Sequence, residues 1–164
     1  MIRAGDVVQR TRLVAGDMQA GRYSDYEVYA ALNAAVDVLC EGLRRYFSPE
    51  LVRRAVLTPK DGRCALPEGF LYLSEVDCDS DWRIEGDFFV CEDAAEIAYG
   101  KHPGRLSQTT DFVDLADGFL IHLASVAASL LRGEEKAANE KAEAAAYEKT
   151  ADKRGPVAEP AMWS

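Results

Sequence analysis

The sequence predicts an α+β fold, mainly α: a bundle of about four helices with a small antiparallel β-sheet inserted between the second and third helices. Three observations predict it. On both flanks, apolar residues recur at the spacing that gathers them on one face of a helix. Between the flanks, residues 52 to 100 break into short runs rich in aromatic and β-branched side chains, separated by Asp, Ser, Gly or Pro, which is the pattern of short strands joined by turns. At 164 residues the chain falls within the usual length of one domain and buries roughly 70% of the surface it exposes when unfolded.

The first helix is expected from Gly5 or Asp6 to about Ala15, with Val7, Thr11, Val14 and Met18 along its apolar side. The two glycines of "AGDMQAGRYS" break it. Ser24 and Glu27 then form an S-x-x-E capping box that opens a second helix, from about Asp25 to Phe47. Its core stripe is Val28, Leu32, Ala35, Val36, Leu39, Leu43, Tyr46 and Phe47, while Tyr26, Asn33, Asp37, Glu41 and Arg44 gather on the opposite face. Asn33 is thus expected to point away from its own core. Glu41 precedes Arg45 by four residues as a mild supporting pair. Arg44 and Arg45 suit the negative end of the helix dipole, and Ser48-Pro49 stops the helix.

"VRRAVLTPKDGRCALP" carries two short β-rich runs around Asp61-Gly62, a strong hairpin signal. "FLYLSEVDC", "WRIEGDFFVCE" and "AEIAYGK" supply the remaining strands. Residues 77 to 96 hold eight acidic side chains against the single Arg83, the most lopsided charge in the chain.

A third helix is expected from Asp111 to about Leu131, with Phe112, Leu115, Ala116, Phe119, Leu123, Val126, Ala127 and Leu130 on one face. The other face, Gly118, His122, Ser125, Ala128 and Ser129, is small or weakly polar and uncharged, which suggests close packing against a second surface. Gly133 ends this helix. The Ala/Glu/Lys-rich segment that follows is a strong helix former with only Tyr147 as a large apolar residue, so a solvated helix with a thin contact stripe is expected. The resulting division is one domain over 1–154, comprising N-terminal helices (1–47), a β insertion (48–105) and C-terminal helices (111–154), with a flexible tail over 155–164. The tail ends in Met162 and Trp163, which read either as a docking anchor or as a fold-back onto the same chain.

The net charge of -9 and pI near 4.7 argue against a protein that grips phosphate backbones, because that affinity comes from clustered Lys and Arg. The start of the chain is charged and lacks an apolar core, unlike a signal peptide. The longest run without formal charge, Gly118 to Leu131, has 14 residues, short of the roughly 20 that cross a bilayer. Cys40, Cys64, Cys78 and Cys91 are separated by 23, 13 and 12 residues, with no CxxC pair, and read as reduced thiols.

Catalytic patterns are lacking. His102 in "GKHPGR" and His122 have no nucleophile nearby in sequence, and no G-x-S-x-G, Walker, Rossmann or H-E-x-x-H pattern occurs. Asp77, Asp79 and Asp81 alternate as in a calcium loop, but Trp82 stands where the loop needs glycine and Phe88 where it needs a bidentate Glu. A solvated turn explains them better. Arg44-Arg45 and Arg53-Arg54 could touch phosphate, but they sit at a helix end and in a strand, where caps and ion pairs explain them as well. No catalytic residue, metal or cofactor is expected, so what remains is surface: acidic patches, a small-residue helix face, Asn33 and the tail.

The segments taken in order resemble the head-to-tail connector, or adaptor, proteins of tailed phages. "RYSDYEVYAALNAAVDVL" resembles the "sD.E....LN.A" helix of that family through Asp25, Glu27, Leu32, Asn33 and Ala34. "LPEGFLYLSEV" resembles its "LP..F" segment, with Gly69 in place of the expected acidic residue. "WRIEGDFFV" with "AEIAYGKHPGRLS" resembles its sheet section, and "LADGFLIHLASVAASLL" with "AYEKTADK" its closing helix pair.

The resemblance covers most of the chain and rests on order and spacing. It implies a structural virion protein, not an enzyme, assembled in the host cytoplasm into the neck of the particle. There it forms a ring, typically of twelve copies, beneath the portal protein. The ring extends the channel that double-stranded DNA traverses without specific binding, and seats a tail nozzle or stopper protein. On this reading Asn33, Gly118, His122, Ser125 and Ser129 are candidate subunit contacts, and Met162 and Trp163 a candidate portal anchor. Asn33 would bond across a subunit or helix contact, or else stay hydrated on an exposed face. The alternatives are a stopper or tail-completion protein of the same neck and, from a different class, a small acidic intracellular regulator or enzyme.

Overall fold

The computed structural model describes residues 1–154. The tail that carries Met162 and Trp163 lies outside them. The architecture is α+β and mainly α, as the sequence predicts, and the described residues divide into two compact units, Met1–Glu50 with residues 105–154, and Leu51–Gly104.

The first unit is helical. A short strand β1 (Ile2–Arg3) leads into α1 (Ala4–Ala15), followed by α2 (Asp25–Arg45). The expected capping box is present at the start of α2: the Ser24 hydroxyl accepts from the Glu27 N–H, and the Glu27 carboxylate accepts from the Ser24 N–H. Between α1 and α2 a buried ion pair pins the loop. Arg12 donates to Asp17 at 2.7 Å, to the Tyr23 carbonyl at 2.9 Å and to Asp25 at 2.7 Å.

Val28, Leu32, Ala35, Val36, Leu39 and Leu43 are fully buried, as the 3.6-residue period requires. Each large side chain among them contributes about 1.5–3 kcal/mol by leaving water. The stripe does not reach Phe47. The chain leaves α2 through a Schellman turn, with the Ser48 N–H bonded to the Leu43 carbonyl at 2.9 Å and Phe47 at φ 51°. That backbone reversal throws Phe47 out to 78% exposure, and leaves Tyr46 half-buried. Val14 and Met18 are likewise exposed, because α1 ends at Ala15 and its core side is carried by Val7, Thr11 and Ala15.

The third helix begins later than its periodicity suggests. Phe112–Val113 forms β8, which pairs antiparallel with β1. A 3-10 turn (Asp117–Phe119) follows, and α3 spans Leu120–Leu131. Two contacts divert the chain from helix. The Ala4 N–H bonds the Asp111 carbonyl, and the Asp111 carboxylate accepts from Ser107 and Gln108 backbone N–H groups at 2.7 and 3.0 Å. Consequently Phe112 and Ala116 face solvent, whereas Leu115, Phe119, Leu123, Val126 and Ala127 are buried as expected.

α4 (Glu135–Arg154) buries a stripe of alanines, Ala138, Ala142, Ala145 and Ala146. Tyr147 stays 62% exposed. α3 packs against α1, α2 and α4, and α2 packs against α4. At the last of these contacts the backbones approach closely: a Cβ on Gly42 would lie 2.9 Å from the Ala146 Cβ. Small side chains at Gly42, Ala142 and Ala146 are what allow a helix with so little apolar surface to dock. Arg45 pairs with Glu143 of α4 at 3.3 Å instead of with Glu41.

The second unit is two three-stranded antiparallel sheets. One has the order β2 (Val52–Leu57), β7 (Ala95–Lys101), β4 (Phe70–Asp77), and the other β3 (Arg63–Ala65), β6 (Phe88–Val90), β5 (Arg83–Glu85). The predicted turn forms at Asp61-Gly62, both at positive φ, closed by Lys60 and Arg63. The strands on either side of it do not pair with each other. β2 joins β7 and β3 joins β6, because Leu57, Phe89, Cys91, Ala95, Ile97 and Tyr99 share one core that a two-stranded hairpin would leave open to water. Phe70 stacks on Tyr99 and Trp82 on Phe89 at the margins of that core.

Candidate interaction surfaces

Asn33 sits one turn into the alanine-rich middle of α2, and its side chain is not outward as the helical wheel suggested. It is half-buried and doubly bonded to the backbone of Leu106: Nδ2 donates to the carbonyl at 2.9 Å and Oδ1 accepts from the N–H at 2.8 Å. Asp37, one turn on, receives Arg105 at 3.1 Å. Both contacts hold the segment that follows the β insertion against α2. Asn33 turns inward because its partner is a loop that arrives from 73 residues away, which the periodicity of one helix cannot encode.

The small face of α3 is also largely used inside the chain. Ala128 and Ser129 are fully buried, and the Ser129 hydroxyl accepts from Lys141 of α4 at 2.8 Å. His122 and Ser125 are half-buried, His122 lying edge-on to the Phe119 ring at 6.5 Å. Gly118 is exposed in the 3-10 turn, where an added Cβ would meet only the flexible end of Lys149. The second surface expected against this face is therefore α4 at Ser129. Gly118 is left open to solvent within this chain.

The exposed surface of the helical unit holds a groove lined by Asp6, Gln9, Arg10, Leu13, Met18 and Leu120. Leu13 and Met18 are 48% and 59% exposed there, and Ile121, next to Leu120, is 60% exposed. A second groove, between α2 and α4, is lined by Asp37, Glu41, Arg45, Asn139 and Glu143. Val38 and Gly42 complete its lining, and its charged side chains are predominantly acidic.

In the β unit all eight acidic side chains between residues 77 and 96 are exposed. Arg54 ties Glu75 and Glu96 together across the sheet at 3.1 and 3.8 Å, which accounts for one member of the Arg53-Arg54 pair. His102 is part of the loop backbone scaffold, its Nδ1 accepting from the Gly104 N–H at 3.1 Å and its own N–H donating to Gly69 at 2.8 Å. Among the described residues, no three His, Cys, Asp or Glu side chains are grouped as metal ligands, and no helix is long and apolar enough to cross a membrane.

The hydrogen bonds also set proton affinities. Burial pushes the Asp17 carboxyl up, but backbone N–H groups of Arg22 and Tyr23 and the Arg12 guanidinium outweigh it and hold it below the ordinary range. Bonds from Ser107 and Gln108 hold Asp111 low in the same way. Sequence reasoning missed Gly42, Leu106 and Glu50, each of which acts through a distant partner. Glu50, 6% exposed, accepts the Ala116 N–H at 2.7 Å and so caps the turn that leads into α3. No protein-family model and no curated protein matches the chain.

Proposed function

We propose that the chain is a structural virion protein, a head-to-tail adaptor that forms a ring beneath the portal of a tailed phage. The observation that carries the reading is the element order. Two helices, an antiparallel β unit and two further helices follow one another as the connector resemblance implies, and the Asn33 of its "LN" motif makes the bond that seats the chain on return from the β unit. Two surface properties support it. The exposed acidic side chains of residues 77 to 96 would let double-stranded DNA pass without adhering, since like charges leave no counterion-release gain. The groove at Leu13 and Met18 is apolar surface that a neighbouring copy in the ring would cover.

The decisive experiment is the mass of the purified protein, alone and mixed with portal rings from the same genome, by native mass spectrometry or sedimentation. A ring-sized increment on the portal is the expected result. A small particle that ignores the portal overturns the proposal and returns the acidic regulator or enzyme to the front. Binding only to portals already carrying another ring would place the chain one layer lower, as a stopper or tail-completion protein.

A further inference from the structure

We propose that Cys78 and Cys91 are a redox modification site, a dithiol that closes to an intramolecular disulfide by exchange with a low-molecular-weight disulfide such as oxidised glutathione. Both are free thiols, Cys78 just beyond β4 and Cys91 just beyond β6. Their sulfurs lie 2.7 Å apart, within about 0.7 Å of the length of a disulfide bond. The 12 residues between them hide this pairing in the sequence. It arises because β4 and β6 belong to different sheets whose ends meet at one margin of the core.

The two thiols are not equivalent. Cys91 is 2% exposed, while Cys78 is half-buried and opens to solvent. The Ser80 hydroxyl lies 3.2 Å from the Cys91 sulfur and accepts from the Asp93 N–H at 3.4 Å, which leaves its own proton free to point at Cys91. Hydrogen bonds from Cys78 and Ser80 outweigh burial and lower the Cys91 thiol, whereas burial raises Cys64 and pushes Cys40 up to about 11.

This asymmetry assigns the steps. As the exposed Cys78 sulfur attacks one sulfur of the small disulfide it gives up the proton it shared with Cys91, forming a Cys78 mixed disulfide and expelling one small thiolate, which takes that proton. The Cys91 thiolate, still held by Ser80, attacks the Cys78 sulfur, forms the Cys78–Cys91 bond and expels the second thiolate. The two protons lost by the protein end on the two small thiols. The protein is oxidised by two electrons and the small disulfide is reduced by two.

The test treats the full chain with oxidised glutathione under native conditions, quenches with acid, and maps non-reduced peptides by mass spectrometry. The expected product has lost two hydrogen atoms and joins the Cys78 peptide to the Cys91 peptide. Cys91→Ser is expected to stop at a glutathione adduct on Cys78. A lasting adduct on the wild-type chain, a bond to Cys40 or Cys64, or no oxidation at all would overturn the proposal. So would the same pairing formed in equal yield in urea, which would show that the fold does not direct it. Should Cys91→Ser fail to fold, the native and urea maps of the wild-type chain decide alone.

Discussion

The side-chain amide of Asn33 clasps the backbone of Leu106 with one donated and one accepted hydrogen bond, 2.9 and 2.8 Å long. An amide is the group that can do both, and Asn is short enough to do so from a helix surface. The clasp joins α2 to the chain where it re-enters the helical unit, so its loss acts on two segments that are far apart in sequence.

Asn33→Ala is therefore expected to destabilise the chain by about 1–3 kcal/mol, since it leaves the N–H and carbonyl of Leu106 without this partner. Urea unfolding followed by circular dichroism measures it. An unchanged midpoint would mean that water replaces the amide at no cost.

Two glycines separate packing within the chain from packing between copies. Gly42→Leu drives a side chain into Ala146, and overpacking of this kind costs about 1–3 kcal/mol. Gly118→Leu meets only the end of Lys149, so thermal unfolding of the free chain should hardly move. If the ring proposal holds with Gly118 at a subunit contact, the same variant loses portal-dependent ring assembly, and sedimentation with portal rings reads that loss directly.

Glu50→Ala removes the acceptor for the Ala116 N–H and is expected to cost about 1–3 kcal/mol. Glu50→Gln keeps an acceptor of the same length and should recover most of that loss. Equal unfolding midpoints for both variants would show that the capping bond is not what matters at this position.

Stability should fall on acidification below about pH 4. The folded-state affinities of Asp17 and Asp111 for a proton are depressed. Their contribution is fully present above the unfolded carboxylate value and is lost as the pH drops through the folded one. Asp17→Asn is expected to lower stability at neutral pH and to flatten this acid limb, because the amide offers one accepting oxygen where the carboxylate offers two, to Arg22 and to Tyr23, and carries no charge to face Arg12. Urea midpoints measured across the acid range for both proteins test the slope, and parallel curves would remove Asp17 from the account.

What the sequence by itself determined was local. The capping box at Ser24 and Glu27, the stripe from Val28 to Leu43, the turn at Asp61-Gly62 and the acidic run were all readable, because each depends on residues within one or two turns of one another. The tertiary structure alone decided which surfaces meet. It turned Asn33 inward to Leu106, buried Ser129 under Lys141, left Gly118 open, sent the two arms of the predicted hairpin to different sheets and brought Cys78 to Cys91. Each of those outcomes rests on a partner more than ten residues away, supplied by the burial of a shared core, and no local pattern encodes that pairing.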